Sequence, residues 1–257
     1  MNKSKKIKFL RKKLISGNVS IGSWMQIGDP NIAEIMGDLD YDWISVDLEH
    51  GQINLSTLPD IFRALELKGT LPFVRVSENS EDELKHVFDS GAAGVIIPKI
   101  ENIEQLKNIH KFCCYPPKGK RGVGFSRTNL FGKNFNTYKK EAQDPIVIAM
   151  IETREGIKNL ESILNLKIID AIMVGPYDLS ASLGITGNLK NKKLTNSLKK
   201  ILQLCLKFKI ACGIHVVKPE KKELKKAINQ GYQFIAYSGD AFFLNEFARN
   251  PILDKSE

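Results

Sequence analysis

The chain has 257 residues, 42% of them hydrophobic and 26% charged, with 19 Gly and 10 Pro. That balance excludes a mini-protein, a collagen-like or low-complexity chain and a disordered one, and it supplies enough apolar material for a sizeable core. A formal charge of +9, from 38 Lys and Arg against 29 Asp and Glu, keeps nucleic acid or an anionic surface in play as a partner until the charge is located.

The basic opening, residues 1–18, carries its apolar residues in pairs, Phe9-Leu10 and Leu14-Ile15, interrupted by charge. It therefore has no h-region, and no stretch approaches the ~18 apolar residues of a membrane span. Cys113, Cys114, Cys205 and Cys212 form no CxxC pair and no zinc-type spacing with His. They read as reduced thiols of a cytoplasmic protein.

From there short Val- and Ile-rich runs alternate with amphipathic segments. Strands are expected at Ile21–Gln26, Trp43–Leu48, Leu71–Val76, Gly94–Pro98, Ile146–Ile151, Ala171–Val174, Ile210–Ile214 and Gln233–Tyr237. Helices are expected at Ser56–Lys68, at Ser80–Asp89 behind a capping box, at Glu152–Leu164, at Ser197–Phe208 after an insertion Gly184–Asn196, at Lys218–Asn229 and at about 239–250. Eight strand-helix units whose strands are apolar on both faces predict one α/β domain over 1–257, a (β/α)₈ TIM barrel. A doubly wound open sheet is the rival, but no Gly-rich fingerprint follows the first strand. Tyr115–Thr137 is too long and too rich in Gly, Pro and basic residues for a plain connector, and such loops tend to be functional.

Barrel enzymes place chemistry where strands end. There the sequence offers Asp47, Glu49 and His50, then Arg75, then Glu152, then Tyr177 and Asp178. Singly, each has a bland reading as a cap, an ion-pair partner or a structural His. Together, two carboxylates on adjacent strands suit a hard divalent ion with open positions, Arg offers a fork for an oxyanion, and His is a base near neutral pH. That set describes enolate chemistry on a 2-oxo acid. Lys99, after the fourth strand, is the candidate for the Schiff-base alternative, and a solvated Lys is its bland reading.

The segments DWISVDLEHG (42–51), PFVRV (72–76), DSGAAGVIIPKIEN (89–102), PPKGKRGVGFSR (116–127), IETREGIKNL (151–160) and GPYDLSASLG (175–184) resemble the HpcH/HpaI family of class II pyruvate aldolases. The resemblance runs in order over about residues 15 to 250. It implies a (β/α)₈ barrel of the phosphoenolpyruvate/pyruvate-domain type, a carbon–carbon lyase using Mg, Mn or Co, pyruvate and an aldehyde as partners, and a homohexamer that exchanges a C-terminal helix. It further implies His50 as base with Asp89 raising its basicity, and Arg75 on the enolate oxyanion. Glu152 and Asp178 are implied as metal ligands, Tyr177 and Asp178 as backbone donors to the pyruvate carboxylate, and Asp47 as positioning the base or a metal-bound water.

Two positions depart from the family pattern: Met150 where a substrate-contacting Gln is usual, and Tyr177 where a small residue is usual. Both leave the identity of the aldehyde open. In the loop Lys118–Phe135, Arg121 and Ser126 are expected to reach the site if its glycines and basic side chains cradle an anion; a flexible solvated loop is the other reading. A citrate-type synthase or lyase using acetyl-CoA or oxaloacetate is the alternative on the same barrel. A nucleic-acid-binding protein is the distant one, and the scatter of lysines over Lys3–Lys13 and Lys190–Lys226, without interleaved aromatics, argues against it.

Overall fold

The computed structural model describes residues 3–248, and in it eight parallel strands close a barrel in sequence order. They are β1 (Ser20–Met25), β2 (Trp43–Asp47), β3 (Leu71–Arg75), β4 (Gly94–Ile97), β5 (Ile146–Ile151), β6 (Ala171–Val174), β7 (Ala211–Val216) and β8 (Phe234–Gly239). Around them, in chain order, run α1 (Lys3–Ile15), α2 (Pro30–Gly37), α3 (Leu58–Lys68), α4 (Glu81–Ser90), α5 (Ile103–Cys113) and α6 (Phe135–Glu141). The ring is completed by α7 (Arg154–Lys158), α8 (Leu160–Asn165), α9 (Pro176–Ser182), α10 (Lys192–Phe208), α11 (Lys221–Gln230) and α12 (Asp240–Phe247). Among the described residues no helix is long and apolar enough to cross a membrane.

The barrel is as expected; several helix ends are not. The segment Glu152–Leu164 splits into α7 and α8, because Thr153 caps α7 by accepting from the Gly156 N–H and so leaves Glu152 outside the helix. Asn191 caps α10 and starts it five residues before the expected Ser197. Ser80 does cap α4, but the reciprocal half of the capping box is missing: the Glu83 carboxylate takes the N–H groups of Ser77 and Glu78 instead. The C-terminal helix is α12, and positions 249–250 of its expected span lie outside the described residues.

Each strand sends alternate residues inward. Trp24, Trp43, Phe73, Ile96, Ile148, Met150, Met173, Phe234 and Ala236 fill the lumen, while Val46, Val74, Val95, Ile97, Val147, Ile172 and Ile235 face the helices. Trp43 stacks on Phe234 with ring centroids 4.1 Å apart, and only Gly22 lets that indole lie flat, since a Cβ there would sit inside the ring.

At the end where strands begin, α1 closes the barrel with Leu10 and Leu14. Several of its basic residues make specific contacts with the barrel. Arg11 pairs with Asp170 at 2.5 Å and Asp144 at 2.8 Å, Lys13 with Asp42 at 2.7 Å, and Lys3 with Glu66 at 2.9 Å, while Lys6 donates to the Gly69 carbonyl. Much of the N-terminal charge is thus committed to docking a helix under the barrel.

Candidate active site

The strand-finish end collects polar side chains by the same alternation. Continuing the inward positions past Trp24, Trp43, Phe73 and Met150 reaches Gln26, Asp47, Arg75 and Glu152. Asp47 and Arg75 are direct register partners on β2 and β3. Arg75 grips the Asp47 carboxylate through Nε at 2.9 Å and Nη2 at 2.7 Å, and its Nη1 lies 3.1 Å from Glu49. The guanidinium carbon stands 5.2 Å over the Trp24 ring. Burial opposes ionisation of Asp47, yet the Arg75 hydrogen bonds and charge prevail and hold it below the usual carboxylate range. Burial likewise works against Arg75, which Asp47 and Glu49 keep firmly protonated.

Asp47 also shapes the loop that carries His50. Its Oδ1 accepts the N–H groups of Glu49 at 3.1 Å and His50 at 3.2 Å, and Gln26 Nε2 donates to Oδ2 at 3.2 Å. A Cβ at Gly51 would strike the Asp47 carbonyl, which accounts for Gly after His50. His50 itself is exposed at the mouth.

Glu152 is 1% exposed. One oxygen accepts the Lys99 N–H at 2.8 Å; the other, Oε2, is buried with no hydrogen-bond partner. Burial, reinforced by the charges of Asp178 and Glu49, pushes its carboxyl up to about 7, although the Lys99 N–H and Arg75 pull the other way. Gly175 is required beside it, since a Cβ would collide with Oε2. Asp178 follows in the first turn of α9, exposed and close enough to act on Glu152. An orphaned carboxylate oxygen, a second carboxylate and a mouth open to water make an all-oxygen donor set that fits a hard divalent cation. Among the described residues no third His, Cys, Asp or Glu joins them, so water and substrate would fill the other positions.

Other expected site residues lie elsewhere. Asp89 is in the last turn of α4, and α4 leads into the start of β4, so within one chain Asp89 and His50 sit at opposite ends of the barrel. Arg121 and Ser126 share the Asp89 end. Arg121 is buried, donating to the Cys113 carbonyl at 3.0 Å and the Tyr138 hydroxyl at 2.7 Å, and it stacks over Tyr115. The reason is topological: Tyr115–Thr137 follows a helix and returns to the start of β5, so it is an αβ connection and cannot reach its own mouth. Met150 is a buried lumen residue one inward position below Glu152, and Tyr177 is 56% exposed on α9.

Lys99 is a poor Schiff-base candidate. Its Nζ pairs with Glu49 at 3.2 Å, and that contact raises its affinity for the proton. Arg75 and Lys99 thus bring positive charge to the mouth, and Arg121 of the loop does not. Sequence reasoning missed Gln26 and the stacking of Trp24 on His215, whose ring centroids are 5.1 Å apart. Burial pulls the His215 imidazole down to about 4, while its Nε2 lies 2.9 Å from the Ser238 carbonyl. Gln26 already ends the expected first strand, and extending the inward alternation of the seventh by one residue past Ile214 would have found His215.

Known proteins resemble this chain along nearly its whole length. The chain is 30% identical over 238 residues to a hydroxypyruvate/pyruvate aldolase of Roseobacter denitrificans, covering 91% of this chain and 92% of that one. It is 29% identical over 228 residues to a 5-keto-4-deoxy-D-glucarate aldolase of Shigella sonnei, 88% of each chain being covered. The crystal structure of a HpcH/HpaI aldolase/citrate lyase family protein from Burkholderia cenocepacia superposes with a TM-score of 0.89 at 26% identity, over 94% of this chain and 96% of that one. With the family's own sequence profile matching residues 20–245, the strand-end carboxylates, arginine and histidine belong to a carbon–carbon lyase of the aldolase type, a member of the HpcH/HpaI aldolase/citrate lyase family.

Proposed function

We propose that this chain is a divalent-metal-dependent aldolase that forms or cleaves a 4-hydroxy-2-oxo acid, with pyruvate and an aldehyde as the two halves. The observation that carries the reading is the buried, unpartnered Oε2 of Glu152 beside Asp178, across the mouth from Arg75. Mg, Mn or Co held by those two carboxylates would supply a Lewis acid for the keto oxygen. The chain's own groups do the rest. Arg75, fixed by Asp47, offers its remaining N–H groups to the negative charge that develops on that oxygen. His50 takes the methyl proton of pyruvate, or the hydroxyl proton of the aldol in the cleavage direction. Asp47 sets the position of the His50 backbone. The first-turn N–H groups of Tyr177 and Asp178, which have no partner within α9, face the substrate carboxylate. Met150 forms part of the floor and can offer only a weak thioether acceptor.

Asp89, which the resemblance assigns to His50, would serve that base only from another copy of the chain, so on this reading the enzyme works as a homo-oligomer, six copies by the resemblance. Asp89, Ser126 and Arg121 would reach a neighbour's mouth rather than their own. The exposed Val123, Phe125, Leu130 and Phe131 beside them support a surface covered by such a neighbour. The four cysteines are free and buried, which supports a reducing, cytoplasmic setting.

Retro-aldol turnover of 4-hydroxy-2-oxo acids in Mg, Mn or Co tests the reading. Turnover that stops with a chelator and survives borohydride plus pyruvate supports it; inactivation by borohydride with pyruvate attached to Lys99 overturns it.

A further inference from the structure

Five N–H groups leave the Arg75 guanidinium, and the bidentate grip of Asp47 takes one at Nε and one at Nη2. One N–H on Nη2 and both on Nη1 are left to meet a substrate oxyanion, and Glu49 stands 3.1 Å from Nη1. A second carboxylate there competes with the negative charge the arginine has to stabilise. The other oxygen of Glu49 lies 3.2 Å from Lys99 Nζ. Glu49 is thus strung between two cations, its side chain 10% exposed and that of Lys99 59% exposed.

Lys99 is placed there by an unusual backbone. Val95 and Ile97 face the helices, so by simple alternation Lys99 would point outward too. Instead its φ is +53, a left-handed conformation that costs a non-glycine residue roughly 1 kcal/mol. Two hydrogen bonds pin that turn: the Lys99 N–H donates to Glu152 at 2.8 Å, and its carbonyl accepts from Gln105 Nε2 at 3.0 Å. The turn brings the ammonium back to Glu49 at the mouth.

We infer that Lys99 is a positioning residue that acts through Glu49, sharing that carboxylate with Arg75 so that the charge of Glu49 only partly neutralises Nη1, which can still take the oxygen of a 2-oxo acid. The role rests on the pyruvate-enolate reading. In Lys99→Met, Glu49 has one cation left and tightens its hold on Nη1 of Arg75, so pyruvate meets a guanidinium more fully neutralised than in the wild type. In Glu49→Gln the competing charge is gone and Lys99 has nothing to restrain.

The test is pyruvate binding to the full-length chain by titration calorimetry, with and without Mn, for wild type, Lys99→Met, Lys99→Arg, Glu49→Gln and the double variant. The expected result is about tenfold weaker binding in Lys99→Met, near-normal binding in Lys99→Arg, and recovery when Glu49→Gln is added to Lys99→Met. Loss of binding in Lys99→Met that Glu49→Gln does not reverse makes Lys99 a direct anion contact and overturns the inference. Equal binding by wild type and Lys99→Met overturns it as well, and leaves the enolate reading standing. A wild-type chain that binds no pyruvate under either condition removes that reading, and this role with it.

Discussion

The two ends of the barrel use charge in opposite ways. Where the strands begin, Arg11, Lys13 and Lys3 each meet a carboxylate and bind α1 across the opening. Where they finish, carboxylates crowd together: Glu152 has a buried oxygen without a partner, Asp178 and Glu49 raise its proton affinity, and Arg75 is shared between Asp47 and Glu49. Balanced pairs hold a structure together, whereas an unbalanced, partly orphaned set is costly and persists where something else is bound. The strand-start end carries stability, and the strand-finish end gives some up for chemistry.

Substitutions should separate the two ends. Glu152→Gln keeps the shape and removes the charge, and it is expected to lower metal-dependent aldolase turnover by about 10³-fold or more while leaving the thermal midpoint unchanged or higher. Steady-state rates beside a melting curve check both halves. Next in size is a complementation experiment. His50→Ala and Asp89→Asn are each expected to be nearly inactive alone, and an equimolar mixture reassembled from dissociated chains should recover about a quarter of wild-type activity if each site takes the two residues from different copies. A mixture no more active than its parts would confine the site to one chain.

Acid should act through the mouth. The folded-state pKa of His215 is pulled down to about 4, whereas the unfolded chain takes up that proton near 6.5. Between those values the unfolded state binds more protons, so stability falls as the pH falls, by about 2 kcal/mol once screening is allowed for. Urea unfolding at a series of pH values should show that loss in wild type and a flatter profile in His215→Gln. The smallest effect belongs to the strand-start end: Arg11→Met strands Asp170, whose burial already raises its pKa, and is expected to cost about 1–3 kcal/mol with turnover at 25 °C unchanged. Chemical denaturation and rates on the same sample would show whether the ends are as separable as their charges suggest.

What the sequence discloses follows the same division. The strands are legible because each is apolar on both faces, and their ends fall within one or two residues of expectation. Asp47, Arg75 and Glu152 are legible as a rim set only together, because several charges that each end an apolar run converge on one end of a barrel. Helix starts are less so: Thr153 and Asn191 outcompete other candidate caps only through local hydrogen bonds. Asp89, Arg121 and Ser126 are expected at the mouth and lie at the other end of the barrel, because a motif does not record which end of the fold presents its residues. Lys99 reads as an exposed lysine until its positive φ turns it toward Glu49.

Whether Glu152 and Asp178 hold a divalent ion facing Arg75 can be seen in a crystal soaked with Mn and pyruvate and measured for anomalous scattering. A Mn peak is expected between those two carboxylates, with the pyruvate keto oxygen within hydrogen-bond reach of Arg75. Pyruvate joined to Lys99, or Mn bound only away from the mouth, would contradict that expectation.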